Sequence, residues 1–172
     1  MPDTCLLTEG EIAARVETIA RKIAPAIDDY TVCVCLLTGG LWFAADLTRA
    51  LARLGRDPLF DCLWLASYGD ARTSAGACEV RAGLQREIAG RRVLIIDDVL
   101  DSGTSLAQAA RMVREAGAAE VQTCVFARKP WPSDRAIVPD FVAWEAPAEF
   151  LVGYGMDNAG RGRGWPGITT GG

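Results

Sequence analysis

The chain has 172 residues, of which 50% are hydrophobic and 23% charged, so we expect one globular domain and exclude a disordered chain. The formal net charge of −4 argues against a general nucleic-acid binder, and the absence of histidine excludes His-dependent catalysis and zinc fingers. Six scattered cysteines without Cys-x-x-Cys pairs indicate buried thiols, and with no signal peptide or membrane-spanning run visible we expect a cytoplasmic protein.

The first third of the chain alternates between helix and strand signals. A capping-box pattern at 8–11, followed by apolar residues at helical spacing, predicts a helix that ends before Pro25. Residues 31–37 read as a strand, 38–40 as a tight glycine loop and 41–54 as a second helix. The unit is a strand, a turn and a helix.

The remaining segments continue this alternation. Residues 58–67 predict a strand, and 68–83, rich in small and polar residues, predict an exposed, mobile loop of the kind that often serves as a lid. Strands are also predicted at 121–127 and 140–145, and a Gly/Arg-rich segment without periodicity follows at 159–164. Strands that alternate with helices predict an α/β domain with a mostly parallel central sheet.

The most informative run lies between a strand predicted at 93–96 and a helix predicted at 105–115. Because the strand is continuously apolar, it suits a parallel sheet covered on both faces, and the turn then lies at its carboxyl end, where such sheets bind ligands. Free N–H groups at the helix start, together with nearby hydroxyls, favour a phosphate. Gly103 allows the backbone to approach closely.

Three carboxylates, Asp97, Asp98 and Asp101, accompany this phosphate pocket. Carboxylates accept hydrogen bonds from vicinal ribose hydroxyls or hold a hydrated Mg²⁺, so a phosphorylated ribose accounts for all these parts. The alternative is a purely structural role, in which the three residues cap the turn before the helix and keep it exposed to water. That role explains one acidic residue more easily than three.

The run resembles the phosphoribosyl-pyrophosphate motif of the type I phosphoribosyltransferases, and within that family it is most similar to the enzymes that act on hypoxanthine and guanine. Matching motifs extend from 36–41 to 154–157 and 166–168. The resemblance implies one domain, 1–172, with a small hood subdomain from about 1–10 and 140–172. It implies purine salvage, in which phosphoribosyl pyrophosphate and a purine base react with Mg²⁺ as cofactor, and a homodimer or homotetramer without nucleic-acid or membrane partners.

The resemblance also implies roles for the residues of the central run. Asp97 and Asp98 would face the ribose hydroxyls, and Asp101 would be the general base at purine N7. The 5-phosphate would be held by backbone N–H groups from Asp101 to Ser105, a turn that includes Gly103 and Thr104, together with the hydroxyls of Ser102 and Ser105.

Further roles carried over by resemblance concern the pyrophosphate. The loop of Thr38, Gly39 and Gly40 would bind it through backbone N–H groups, although many members have Lys or Arg where this chain has Thr38. Arg163 would also contact it, and Arg161 could share or take that role. The remaining implied residues are Asp157 as a Mg²⁺ ligand beside Asp97 and Asp98, and Ser67 with Tyr68 as the lid dipeptide.

Base recognition, by the same resemblance, falls to Lys129, Phe150 and the backbone of Leu151. Lys129 would donate to the 6-oxo group and Phe150 would stack on the purine. One alternative is a protein of this fold that binds nucleotides for regulation with little or no turnover. A receiver-like signalling domain is disfavoured, because its acidic pair would follow the first strand and here it stands at 97–98.

Overall fold

The structure, a computed structural model, describes residues 4–67 and 78–171. These residues form nine strands and three α-helices, with one short 3-10 turn at Ala24–Ala26. In chain order the elements are β1 (Cys5–Leu7), α1 (Glu9–Ile23), β2 (Val32–Leu37), α2 (Leu41–Arg53), β3 (Leu59–Ser67), β4 (Cys78–Ala82), β5 (Arg92–Leu100), α3 (Thr104–Glu115), β6 (Glu120–Arg128), β7 (Phe141–Glu145), β8 (Leu151–Val152) and β9 (Ile168–Thr170).

The large sheet has the strand order β4-β3-β2-β5-β6-β7. Its strands are parallel except β4, which runs antiparallel to β3, so the predicted mostly parallel α/β sheet is confirmed. The chain leaves β2 toward β3 on one side and leaves β5 toward β6 on the other. The order therefore reverses between β2 and β5, and ligands of open α/β sheets bind in the crevice at such a point.

Both faces of this sheet are covered, which explains the continuously apolar strands. Cys33 and Cys35 of β2 belong to the core under α1 and α2, whereas Val32 and Val34 belong to the core under α3. The opposite placement follows from the two-residue period of a strand. Burial raises the pKa of the Cys33 thiol to about 12, so this side chain acts as a small hydrophobe.

Helix α1 begins at the predicted capping box. Glu11 donates its backbone N–H to Thr8 Oγ1 (3.3 Å), and Thr8 donates its own to Glu11 Oε2 (2.8 Å). The apolar stripe of the helix, including Ile12 and Ile23, is buried against the sheet. Local capping and the amphipathic pattern therefore agree on the same helix.

Two predictions about these elements were wrong. Residues 78–82, predicted as part of a loop, form β4, because they pair with the end of β3 and extend the sheet by one edge strand. Strand β5 does not end at Ile96 but continues to Leu100, because β6 pairs with it along its whole length, whereas β2 leaves it after Ile96. Residues 68–77 of the predicted loop lie outside the described residues.

A second, three-stranded sheet has the order β1-β9-β8 and is antiparallel throughout. It brings the segments that follow Phe150 and precede Thr8 together beside the carboxyl ends of the large sheet. Strand β7, by contrast, pairs with β6 in the large sheet. In the part of the chain that the structure describes, no helix combines the length and apolar character needed to cross a bilayer.

Candidate active site

A cavity of about 340 Å³ lies at the point where the strand order reverses, at the carboxyl ends of β2 and β5. Its walls bring together residues that are far apart in the sequence. Those among them that the sequence analysis had singled out are Gly39, Asp97, Asp98, Asp101, Ser102, Gly103, Thr104, Ser105 and Arg163.

The turn into α3 offers backbone N–H groups to a ligand. Gly103 is the N-cap residue, which has no side chain to cap the helix, and the first turn has no acidic residue. The Thr104 N–H makes only a long hydrogen bond of 3.4 Å to Ser102 Oγ, which a ligand can replace. It has a φ of 82°, a left-handed conformation that favours glycine. The Ser102 and Thr104 hydroxyls lie 3.0 Å apart on the cavity wall. Positive helix-end charge, free donors and hydroxyls together make an anion site.

Asp97 and Asp98 lie on the part of β5 that extends beyond its pairing with β2. The Asp98 N–H donates to Asp97 Oδ1 (3.0 Å), and the Val99 N–H donates to Asp98 Oδ1 (2.8 Å). Burial raises the pKa of both carboxyls, and the neighbouring Asp98 charge raises the pKa of Asp97 further. At Asp98, hydrogen bonds with Asp97 and with the Val99 N–H, and to a smaller degree the Arg163 charge, partly offset the rise in pKa. Such a pair favours a ligand that donates hydrogen bonds or carries positive charge.

The glycine loop after β2 packs directly against these carboxylates. A Cβ at Gly39 would overlap the Asp98 carboxylate, and one at Gly40 would lie 2.7 Å from the Leu36 carbonyl oxygen. Close packing therefore requires both glycines, a reason that the anion-binding interpretation did not include. The Leu37-Thr38 peptide bond is cis. Thr38 is exposed and is not among the residues that line the cavity.

A smaller cavity of about 120 Å³ adjoins the first and shares Asp98, Val99 and Asp101 with it. Lys129, immediately after β6, places its Nζ 3.5 Å from Asp101 Oδ1 and 5.9 Å from the centroid of the Phe150 ring. The Phe150 side chain is exposed enough to offer a ring face, with the residue 52% accessible. The remaining walls are Leu151, Met156 and Asp157.

Asp157 and Arg163 form an ion pair where the two cavities meet, with Arg163 Nη2 2.8 Å from Asp157 Oδ1. The other carboxylate oxygen of Asp157 accepts the Gly160 N–H at 2.6 Å. Arg163 lines the larger cavity, whereas Arg161 is exposed and its backbone pairs with that of Asn158. Of the two arginines, only Arg163 therefore faces the cavity.

This arrangement is held in place by an arginine that could not be predicted from the sequence. Arg135, in the connection between β6 and β7, donates from Nε to the Asp101 carbonyl oxygen (2.6 Å) and from Nη2 to the Lys129 carbonyl oxygen. It thus joins the backbones of two residues that face each other in the smaller cavity. A single arginine in a Pro-containing connection carries no periodic or motif signal, so the pattern could not reveal it.

Two further predictions concern the segment after β3. Ser67 is the last residue of β3 and pairs with Cys78, while Tyr68 lies outside the described residues. Within the described parts of the chain, no three His, Cys, Asp or Glu side chains converge as a metal-binding group. A cation here would have to complete its coordination shell with ligand or water oxygens.

Comparison with known proteins identifies relatives along nearly the whole chain. The profile of the phosphoribosyl transferase domain matches residues 6–158. A hypoxanthine-guanine phosphoribosyltransferase of Aquifex aeolicus is 34% identical over 94% of this chain and 90% of its own length, and one of Bacillus subtilis is 31% identical over 94% and 88%. A solved structure of the Trypanosoma cruzi hypoxanthine phosphoribosyltransferase in complex with the product IMP superposes with a TM-score of 0.87, at 27% identity over 96% of this chain and 92% of that one.

Proposed function

The chain belongs to the phosphoribosyltransferase family, and from this premise we propose that it is a purine salvage enzyme that transfers the 5-phosphoribosyl group from phosphoribosyl pyrophosphate to a 6-oxopurine such as hypoxanthine or guanine. The products would be the nucleoside monophosphate and pyrophosphate. The similar proteins named above carry this activity in their names, and the T. cruzi structure holds IMP.

The observation that carries the proposal is the junction of the two cavities. An anion site at the α3 turn and a smaller pocket with a cation and an open aromatic face share Asp98, Val99 and Asp101. A phosphate, a ribose and a planar base are joined in this order in a purine nucleotide. The two pockets therefore suit the two ends of one product, with the reacting bond between them.

The chemistry then needs mainly alignment and charge. Backbone N–H groups and hydroxyls of the α3 turn hold the 5-phosphate, and Asp97 and Asp98 accept hydrogen bonds from the ribose hydroxyls. Asp101 borders both cavities, from where it accepts the proton at purine N7. Lys129 donates to the 6-oxo group, and Phe150 stacks on the base.

Mg²⁺ fits the carboxylates at the junction when the substrate supplies the remaining ligands. Asp157 and Asp98 border the same smaller cavity, with Asp97 next to Asp98 in the sequence, and their carboxylates offer the hard oxygen atoms that this ion prefers. Mg²⁺ commonly binds through one or two carboxylates plus substrate phosphates. An ion held there would supply charge neutralisation for the departing pyrophosphate. Arg163 adds a planar cation with several donors on the same side of the site.

The decisive experiment measures turnover of the purified protein with Mg²⁺ and phosphoribosyl pyrophosphate against hypoxanthine, guanine, xanthine and adenine. We expect nucleotide formation from the 6-oxopurines and little from adenine, because an ammonium group cannot accept a hydrogen bond from an exocyclic amine. A protein that binds nucleotide but converts no base would instead be a regulator of this fold. A preference for adenine would refute the role of Lys129.

A further inference from the structure

We propose that Asp46 and Tyr154 are positioning residues that set the distance between the glycine loop at 38–40 and the pair of Asp157 and Arg163, an inference that rests on the proposed function. The Tyr154 hydroxyl donates to Asp46 Oδ2 at 2.8 Å. The two residues are 108 positions apart in the sequence, and neither lines the cavities that hold the proposed substrates. Their bond joins α2 to the tight turn that precedes Asp157.

Contacts with the rest of the fold hold that turn in an unfavourable backbone conformation. Tyr154 has a φ of 49°, in the left-handed region that costs energy for a residue other than glycine. Its side chain is only 5% exposed, and its ring packs edge-on against Phe126 with centroids 5.0 Å apart. The Tyr154 N–H donates to the Trp165 carbonyl oxygen at 2.9 Å. Tertiary contacts of Tyr154 therefore determine where the turn lies.

The same turn contacts the glycine loop and Arg163, the two groups assigned to the pyrophosphate. A Cβ at Gly155 would overlap the Gly39 carbonyl oxygen, so the two backbones touch with no room for a side chain. The Gly155 N–H donates to the Arg163 carbonyl oxygen at 2.9 Å, and the Arg163 guanidinium donates to the Gly155 carbonyl oxygen. A shift of the turn would therefore move Arg163 away from the glycine loop.

Helix α2 provides the fixed end of this connection. It begins at Leu41, directly after the glycine loop, and carries Asp46 less than two turns later. Arg49 holds the other carboxylate oxygen of Asp46, with Nη1 3.0 Å from Oδ1. Burial and the Asp46 charge both raise the pKa of the Tyr154 phenol, so the hydroxyl remains a donor. One rigid helix thus presents the glycine loop and, through Asp46, positions the turn.

The surroundings of this bond make it suitable for mutation. A cavity of about 400 Å³ between α1, α2 and the segment 164–166 borders Trp42, Asp46 and Tyr154. The Asp46 side chain is 43% exposed, so after loss of its partner it is solvated and does not become an unpaired buried charge. We expect Tyr154→Phe and Asp46→Ala to fold, since the first keeps the ring and the second removes a half-exposed carboxylate.

The test compares the affinity for pyrophosphate with the affinity for nucleotide in Tyr154→Phe, Asp46→Ala and the double variant. We expect each single variant to bind Mg²⁺-pyrophosphate roughly tenfold more weakly by calorimetry, and to raise KM for phosphoribosyl pyrophosphate similarly, since small misplacements of aligned groups are costly. Affinity for IMP should change less than about twofold, because its proposed contacts at the α3 turn, Lys129 and Phe150 lie outside the turn at 153–155. The double variant should lose no more than the worse single one, because both remove the same bond.

Thr123→Val is the matched control. It also deletes a buried hydroxyl bonded to a carboxylate, with Thr123 Oγ1 donating to Asp140 Oδ2 at 3.1 Å, but Asp140 precedes β7 at the end of the sheet away from the site. Equal losses for pyrophosphate and IMP, or the same pyrophosphate loss in Thr123→Val, would overturn the inference. So would a wild-type protein that binds no pyrophosphate. Turnover of the wild type with the four bases decides the proposed function separately.

Discussion

Replacement of Asp101 by Asn separates catalysis from folding and binding. Asn keeps the shape of the side chain and removes its ability to take a proton. Arg135 bonds to the Asp101 carbonyl oxygen and not to its side chain, so the backbone of the residue should stay in place. The only ion pair of the carboxylate that the described residues contain joins it to Lys129 at 3.5 Å.

Asp101→Asn should reduce stability only slightly and turnover strongly. The Asp101 side chain is 54% exposed but that of Lys129 only 13%, and Asn keeps an amide oxygen that can accept from the Lys129 ammonium, so the loss should not exceed about 2 kcal/mol and Tm should fall by no more than about 8 °C. Removal of a general base typically lowers kcat by about 10² to 10⁴. Turnover should therefore fall far more than stability, and KM for the purine should change little.

Steady-state kinetics with hypoxanthine, IMP binding and thermal unfolding measure the three quantities. Glu115→Gln is the matched control, because Glu115 pairs with Arg111 at 3.9 Å on the exposed surface of α3 and lies away from the cavities. We expect the control to keep wild-type kinetics. If Asp101→Asn weakened IMP binding as much as it lowered kcat, Asp101 would support the site structurally, and the reasoning that makes it the base would be refuted.

Two further substitutions test the packing and the specificity of the site. Gly39→Ala should reduce turnover at least about 100-fold, because the added Cβ would displace the Asp98 carboxylate. Gly10→Ala is the control: a Cβ there would meet no atom within 4 Å, so activity should stay unchanged and the unfolding temperature should stay unchanged or rise slightly. A fully active Gly39→Ala variant would contradict the packing. Lys129→Met should lower the ratio of kcat/KM for hypoxanthine over adenine by about 10- to 100-fold, which corresponds to the free energy of a hydrogen bond to a charged group. An unchanged ratio in the same assay would show that Lys129 does not select the base.

The sequence predicted the elements whose local and tertiary signals agree. The capping box at Thr8 and the apolar stripe of α1 point to the same helix, and the structure has it. The buried run at Val93 required a strand with both faces covered, and β5 lies in the middle of the parallel sheet. The family resemblance was confirmed along nearly the whole chain, because its motifs occur in the right order.

Features that depend on pairing between distant segments could not be predicted in this way. Nothing in the sequence of β4 distinguishes it from a polar loop, since four of its five residues are exposed and only pairing with β3 makes it a strand. Strand β5 passes through two aspartates, against their low strand propensity, because β6 supplies hydrogen bonds as far as Leu100. Arg135 acts through hydrogen bonds to two carbonyl oxygens and Asp46 through one to the Tyr154 hydroxyl, and such isolated contacts leave no periodic pattern in the sequence.

The charges around the pyrophosphate side explain how a chain with Thr38 can keep the proposed chemistry. Arg163 is the cation on the cavity wall, and Asp157 already neutralises part of its charge at 2.8 Å. Asp97 and Asp98 add negative charge nearby, and the exposed Thr38 contributes none that is positive. A bare pyrophosphate would therefore meet a site with more carboxylates than cations. Under the proposed function, the same carboxylates would favour pyrophosphate that arrives with Mg²⁺, and the metal would supply the neutralisation for which many family members also use a lysine or arginine in the glycine loop.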